Sequence, residues 1–595
     1  MAFMRSGVRS PSAPPSSSLS DTSHSRYGSR RWTAFAGSVF LFCATALTVV
    51  WQNSRLAVLW DLSYVLENAY RISIGDIPYR DFPFPYPPLT FLIQAALIKF
   101  TGRVFWHTTV YCAAIGGVAT LLTWRILVNL LGRRVAHARL LAFILSFPVL
   151  VLGVYSVFPH PFYDPDCTVA ILLAVLLLQS AEAKPSSLMR PALAGIALVI
   201  PVFVKQNTGL AFLGSAFIGL LILSVVERCS GRSARRYMIT LLAAFVALAV
   251  GLLLVKFTAG LNNYWQWTIK FAAARRAPAG SEMLQIYEDK FQLLWIGIFI
   301  TGLVGSWLNR KRSQWISLAS ALTMSLPFAW PTIYLFRDQD SSERAERLLA
   351  LWPLILIISL VLTILTMKQR RGWSLILPFV LIATVNGAFM SQQLWGSTYA
   401  LWPLFIILSA EIIVSLSILL KERLWTLLPL TATIGLSLLI SGAFYIRSHE
   451  RLDYANLDEG VLTKSTLPQL KGMATRGAWL PNFEELVRYT EREIPRDNGI
   501  LIIPGEDLFY YTTGRRPLFP VLSFDHTVNP YSPPEILKLA RDRNIRWLIV
   551  KQDLQDEDEE LEKQRDQLTE ALEQDFEQVE SLKNYDVYRR TETKR

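Results

Sequence analysis

The chain has 595 residues, 52% of them hydrophobic and 18% charged, and Lys plus Arg outnumber Asp plus Glu by 59 to 47. That balance excludes a soluble globular enzyme, a disordered protein and a disulfide-rich secreted module, and it reads as an α-helical polytopic membrane protein. The net charge of +12 comes with no nucleic-acid motif, and Cys43, Cys112, Cys167 and Cys229 stand at no metal-ligand or disulfide spacing.

Residues 1–31 are rich in Ser, Pro and Arg and are expected to be a disordered cytoplasmic tail. Trp32 to Ser54 carries no charge and exceeds the roughly 20 residues that span a hydrocarbon core. Further charge-poor stretches fall near 106–131, 138–157, 166–182, 190–204, 207–226, 237–258, 291–308, 315–335, 348–366, 373–391, 397–419 and 425–446, which predicts about thirteen spans within a membrane domain covering 32–446. Basic clusters at Arg133/Arg134/Arg139, Lys184/Arg190, Arg228 to Arg236, Arg310 to Arg312, Lys368 to Arg371 and Lys421/Arg423 then share the side of the N-terminal tail, as positive charge in short loops requires. This alternation needs a break between spans at Lys205-Gln206-Asn207.

An odd number of spans sends 447–595 to the outer face, periplasmic in a bacterium. Helical spacing at Asn482 to Ile494 and Glu535 to Arg543 alternates with short apolar runs at Ile500 to Ile503 and Ile545 to Val550, which predicts a small α/β domain. Residues 553–577 hold twelve acidic and two basic side chains, with Leu561, Leu568, Leu572 and Phe576 spaced for one helical face.

The first outer loop, 55–105, holds the densest pattern. Leu62, Val65, Leu66, Ala69 and Ile72 recur at helical spacing and predict an amphipathic helix on the membrane surface, ending near Gly75. Pro78, Pro83, Pro85, Pro87 and Pro88 then impose an extended passage before a second interfacial helix from Leu89 to Phe100. Asp61, a carboxylate at the water boundary beside apolar helices, is placed to act as a general base.

An acidic residue after the first span, then A-x5-G-x-x-P-Y-x-D-F from Ala69 to Phe82, then Pro87-Pro88-Leu89, resembles the GT-C superfamily of integral-membrane glycosyltransferases, in particular the lipid A aminoarabinose transferases and protein O-mannosyltransferases. The resemblance implies a polyprenyl-phosphate-linked sugar donor, transfer to a lipid, glycan or protein hydroxyl at the outer face, and activation of that hydroxyl by Asp61. It also implies substrate contacts in the loop, at Asp81 and at Tyr86, where the aminoarabinose transferases carry Lys.

The second outer loop reads His160-Pro161-Phe162-Tyr163-Asp164-Pro165-Asp166. Its Asp-x-Asp pair suits sugar hydroxyls or a divalent Mg or Mn ion, although the expected reaction requires no cofactor; capping of the next helix is the competing reading. His160 is an acid, a ligand or a plain interfacial residue. Lys205 and Gln206 either hold the donor phosphate or snorkel from a helix end. Arg275 and Arg276 break the positive-inside trend and suit a lipid-phosphate clamp. Arg337, Asp338, Gln392, Gln393 and Trp395 are weaker candidates for cavity lining. Because these groups collect at one face and no internal repeat appears, a glycosyltransferase is favoured over a transporter or flippase of a lipid-linked sugar.

Overall fold

The computed structural model describes residues 21–55, 59–132, 134–135, 137–184, 186–276, 280–309, 313–339, 344–390, 399–420, 424–447, 460–525, 527–554 and 559–591. The helices are, in chain order, α1 (Asp21–Asn53), α2 (Leu59–Ser73), α3 (Leu89–Thr101), α4 (Trp106–Leu131), α5 (Ala138–Ser146), α6 (Val149–Leu152), α7 (Tyr163–Ala183), α8 (Met189–Val199), α9 (Gln206–Cys229) and α10 (Arg235–Thr258). There follow the short α11 (Leu261–Trp265), α12 (Ala272–Arg276) and α13 (Gly280–Leu284), then α14 (Gln292–Leu308), α15 (Gln314–Arg337), α16 (Leu351–Thr366), α17 (Trp373–Phe389), α18 (Trp402–Leu420) and α19 (Leu424–Tyr445). Residues 1–20 of the expected tail lie outside the described residues, and α1 begins at Asp21, inside the segment expected to be disordered.

Among the described residues, nine helices are long and apolar enough to cross a membrane. Phe245, Leu254 and Phe257 on α10 are 65%, 63% and 79% exposed, a density of bare apolar surface that only lipid makes tolerable. The protein is therefore a multi-pass membrane protein. The expected spans at 190–204, 291–308 and 373–391 are shorter apolar helices. The one at 138–157 breaks into α5 and α6 where Pro148 interrupts the helical ladder. At the centre stands α18, buried at every position from Trp402 to Ser417.

The break at Lys205 is real: α8 tightens into a 3-10 turn, Ile200–Phe203, and α9 restarts at Gln206. Gly209 lets α9 approach that turn, since a Cβ there would meet the Pro201 carbonyl oxygen at 2.4 Å.

The C-terminal domain carries a four-stranded sheet formed by β3 (Gly499–Ile503), β4 (Ile545–Lys551), β5 (Phe576–Ser581) and β6 (Tyr585–Arg590), after a small β1 (Thr463–Lys464) and β2 (Ala474–Thr475) pair. Its order is β3-β4-β6-β5, with β3 parallel to β4 and the other pairs antiparallel. Helices α20 (Trp479–Glu493), α21 (Phe509–Thr513), α22 (Pro533–Asp542) and α23 (Glu559–Glu573) complete it. Phe576, expected on the acidic helix, instead opens β5, because α23 stops at Glu573.

The largest departure from expectation concerns α2. Its apolar face does not lie on the membrane: Leu59, Leu62, Leu66 and Ala69 share a core with Leu480, Phe483 and Tyr511 of the C-terminal domain, while Val65 joins the core of the bundle. A protein partner removes that stripe from water as well as lipid does. Polar bonds fix the seam: Arg71 donates to the carbonyls of Phe519 (3.2 Å) and Pro520 (2.7 Å), Arg103 to those of Tyr511 and Thr512 (both 2.8 Å), and Arg516 reaches Asp76 at 2.7 Å.

Candidate functional site

The first loop leaves α2, crosses the proline-rich passage and re-enters as α3, and its aromatic side chains build one wall of the site. Tyr64 of α2 lies 5.3 Å from Tyr86 between ring centres, and Tyr86 lies 4.5 Å from Tyr163 at the start of α7. The Lys205 ammonium sits 5.3 Å from the Tyr163 ring centre and is bonded to Asp164. Asp61 is half-buried in the first turn of α2, three residues before Tyr64, so the two share a helix face. The contacts Tyr64, Tyr86, Tyr163 and Lys205 thus connect the face of the expected base to the expected phosphate-binding lysine.

Tyr86, Tyr163, Lys205 and Gln206 line a cavity of ≈ 250 Å³. Its remaining wall includes Thr268, Ile269, Ala272 and Ala273, from a π turn at Gln266–Phe271 and from α12. Gln206 donates to the Pro85 carbonyl at 3.2 Å, and its Oε1 has no partner among the described residues. Arg275 is exposed one turn further on, its guanidinium 5.3 Å from the Phe271 ring centre, and the Arg276 side chain lies outside the described residues.

Asp164 and Asp166 are both buried in the first turn of α7, and the helix separates them. Residues i and i+2 point roughly 200° apart on a 3.6-residue helix, so the pair does not converge as the spacing alone suggested. Asp164 takes Lys205. Asp166 accepts hydroxyls from Thr90 (2.8 Å), Tyr111 (2.7 Å) and Tyr155 (2.6 Å), tying α3 and α4 to α7. Neither caps the helix, whose capping position is Phe162. The two carboxylates thus face different partners, and no group of three or more His, Cys, Asp or Glu is placed for a metal among the described residues.

His160 and Asp81 stand apart from the cavity wall. His160 is fully buried between the Phe105 and Phe158 rings, with Asn53 Nδ2 3.5 Å from its Nδ1. Asp81 pins its own turn, accepting from the Ile77 N–H (2.8 Å) and from Arg80 (2.9 Å), whose guanidinium holds the carboxyl below its ordinary range. Arg337 and Asp338 end α15 at the surface, and Gln392, Gln393 and Trp395 lie outside the described residues. The hydroxyl set around Asp166 and the Tyr163 platform were not singled out from sequence. Tyr111 and Tyr155 sit in apolar runs where nothing local marks them.

A second, larger recess of ≈ 1110 Å³ is almost wholly apolar and runs along α8 and α10, past Ile196, Phe203, Val246 and Leu254, to Pro78, Tyr79 and Pro88 of the first loop. The same loop divides the two spaces: Tyr79 faces the groove and bonds the Tyr86 carbonyl at 2.6 Å, while Tyr86 faces the cavity.

No family model and no curated protein matches the chain. Among solved structures it is similar to ArnT from Cupriavidus metallidurans bound to undecaprenyl phosphate, at 12% identity over 93% of this chain and 98% of that one, with a TM-score of 0.47. It is also similar to the Archaeoglobus fulgidus oligosaccharyltransferase in the apo form, at 13% identity over 86% of this chain and 69% of that one, with a TM-score of 0.47. The complex of the latter with an inhibitory peptide and a dolichol-phosphate gives 11%, 87%, 70% and 0.43. At this identity and overlap the likeness places no ligand and no residue role in this chain.

Proposed function

We propose that the protein moves a sugar from a polyprenyl-phosphate-linked donor to an acceptor hydroxyl, at the membrane face that holds the Lys205 cavity. The observation that carries this reading is the junction of the two spaces. A lipid-facing apolar groove and a small cavity walled in part by a buried ammonium meet across one loop, which suits a ligand with a long hydrocarbon tail and an anionic head. In this reading the N-terminus is cytoplasmic and 447–595 is periplasmic, in keeping with the basic clusters at the opposite helix ends.

Lys205, with Gln206 next to it in the cavity wall, takes the growing charge of the leaving phosphate, and Arg275, exposed one turn beyond that wall, draws the anionic head toward it. Asp164 holds the ammonium in place until the phosphate competes for it. A fixed cation in a dry pocket stabilises such charge without reorganising. Asp61 takes the proton of the acceptor hydroxyl as it attacks the anomeric carbon opposite the phosphate, so the anomeric configuration inverts. General-base help of this kind is worth about 10²–10⁴ in rate. Asp61→Asn in proteoliposomes with radiolabelled polyprenyl-phosphate sugar is expected to lose transfer by that factor while unfolding at the wild-type temperature. Wild-type transfer by this variant overturns the base; movement of label across the bilayer without covalent transfer overturns the enzyme.

A further inference from the structure

From Asp164, α7 runs about 22 Å through the bundle to Gln179, at 1.5 Å per residue. At that far end lies another cavity, of ≈ 540 Å³, between the ends of α4 and α7, the middle of α18 and the turn that joins α16 to α17. The proposed transfer reaction makes no use of it.

Its walls hold donors that lack acceptors. Gln179 is 6% exposed; its Oε1 accepts from Asn129 at 3.0 Å, and its Nε2 has no partner among the described residues. The indole N–H of Trp373, 1% exposed, has none either. Buried N–H groups are seldom left so, since each costs desolvation free energy until an oxygen reaches it. Three guanidiniums line the space against two carboxylates. Arg370 is spent on Glu411 at 2.6 Å, and Glu182 accepts from the backbone N–H of Trp373 and from the Tyr237 hydroxyl at 3.3 Å. Arg134 donates to the Gln369 carbonyl at 2.8 Å, and Arg371 is exposed, so the lining carries one more cation than anion. One oxygen of Glu411, Oε1, has no donor among the described residues.

The turn itself is built for this arrangement. Gly372 has φ +59°, and a Cβ there would meet Glu182 Oε1 at 2.0 Å, so only glycine seats Trp373 and Arg371 as they are.

We propose that this cavity binds a phosphoryl group bearing a neighbouring hydroxyl: its anionic oxygens take the Arg371 guanidinium, the Gln179 amide and the Trp373 indole, and the hydroxyl donates to Glu411. The headgroup of phosphatidylglycerol in the adjacent leaflet has this chemistry, and so does hydrogen phosphate.

Native mass spectrometry of the full chain in detergent, titrated with dioleoyl phosphatidylglycerol, dioleoyl phosphatidylcholine or inorganic phosphate, tests it. Phosphatidylglycerol is expected to bind at least about tenfold more tightly than phosphatidylcholine, and Arg371→Ala and Gln179→Leu are each expected to cost it about tenfold. Displacement of phosphatidylglycerol by millimolar inorganic phosphate identifies a small anion as the ligand. Lipid binding that survives phosphate identifies the headgroup. Equal binding of the two lipids together with no uptake of phosphate, or unchanged affinities in both variants, overturns the site. Arg371 is at the surface, so its variant decides the matter if Gln179→Leu fails to fold. The readout is binding, so its failure leaves the reading of the Lys205 cavity standing.

Discussion

Two buried ion pairs sit at opposite ends of the bundle and differ in how completely their cations are satisfied. At one end Arg370 donates to Glu411 (2.6 Å), Ser415 (2.7 Å), Thr366 (3.0 Å) and the Ser374 carbonyl (3.0 Å). At the other, Lys205 has the Asp164 carboxylate and the face of Tyr163, with a cavity beside it. A guanidinium whose donors are all engaged by protein is a fastener between helices. An ammonium with one carboxylate and an adjoining space retains donors for a ligand. The two pairs thus differ in spare hydrogen-bonding capacity, although both are buried.

The strongest way to break that comparison is Arg370→Leu, which leaves Glu411 charged and unpaired in the middle of α18. Removing one partner of a buried pair costs about 3–5 kcal/mol, so the variant is expected to unfold at a clearly lower temperature in detergent. Arg370→Met combined with Glu411→Leu is expected to recover most of the loss. Lys205→Gln is expected to divide the other way: transfer falls by about 10²–10³, as when one charge-stabilising donor is removed from an active site, while stability falls less than in Arg370→Leu because the Lys205 ammonium bonds one side chain where the Arg370 guanidinium ties four groups together. Equal destabilisation by both variants, with transfer per folded molecule unchanged in Lys205→Gln, would make Lys205 a fastener as well.

A smaller effect sharpens the picture at the seam between α2 and the C-terminal domain. Glu67 accepts the Tyr511 N–H at 3.0 Å, its Oε2 has no partner among the described residues, and burial pushes its carboxyl well above the ordinary range. The folded state therefore keeps a proton that the unfolded chain releases in mild acid. This stability is fully present below the unfolded value and is lost as pH rises through the folded one. Glu67→Gln, which retains the acceptor and cannot ionise, is expected to flatten the pH dependence of unfolding and to gain on the order of 1 kcal/mol at neutral pH.

Legibility followed the range of the interaction. The proline passage, the two helices of the first loop, the break at Lys205 and the strands β3 and β4 were all readable, because backbone restriction and hydrophobic period act over a few residues. Strand β5, with the sequence FEQVES, was not, since its mostly exposed face gives no alternation to detect. The basic cluster at Lys368 to Arg371 read as a plain orientation signal. Arg370 is instead buried against a glutamate 41 residues away, and nothing in either local sequence announces the other.

What the sequence determined by itself is the membrane-spanning character, the small C-terminal α/β domain and the polar residues that interrupt the apolar runs, because hydropathy and helical period are properties of short segments. Only the tertiary structure decided which of those residues meet. It joined Lys205 to Asp164, turned Asp166 toward three hydroxyls and pressed α2 against the C-terminal domain. Each of these follows from packing between elements remote in the chain, where geometry selects one partner among many that composition would allow.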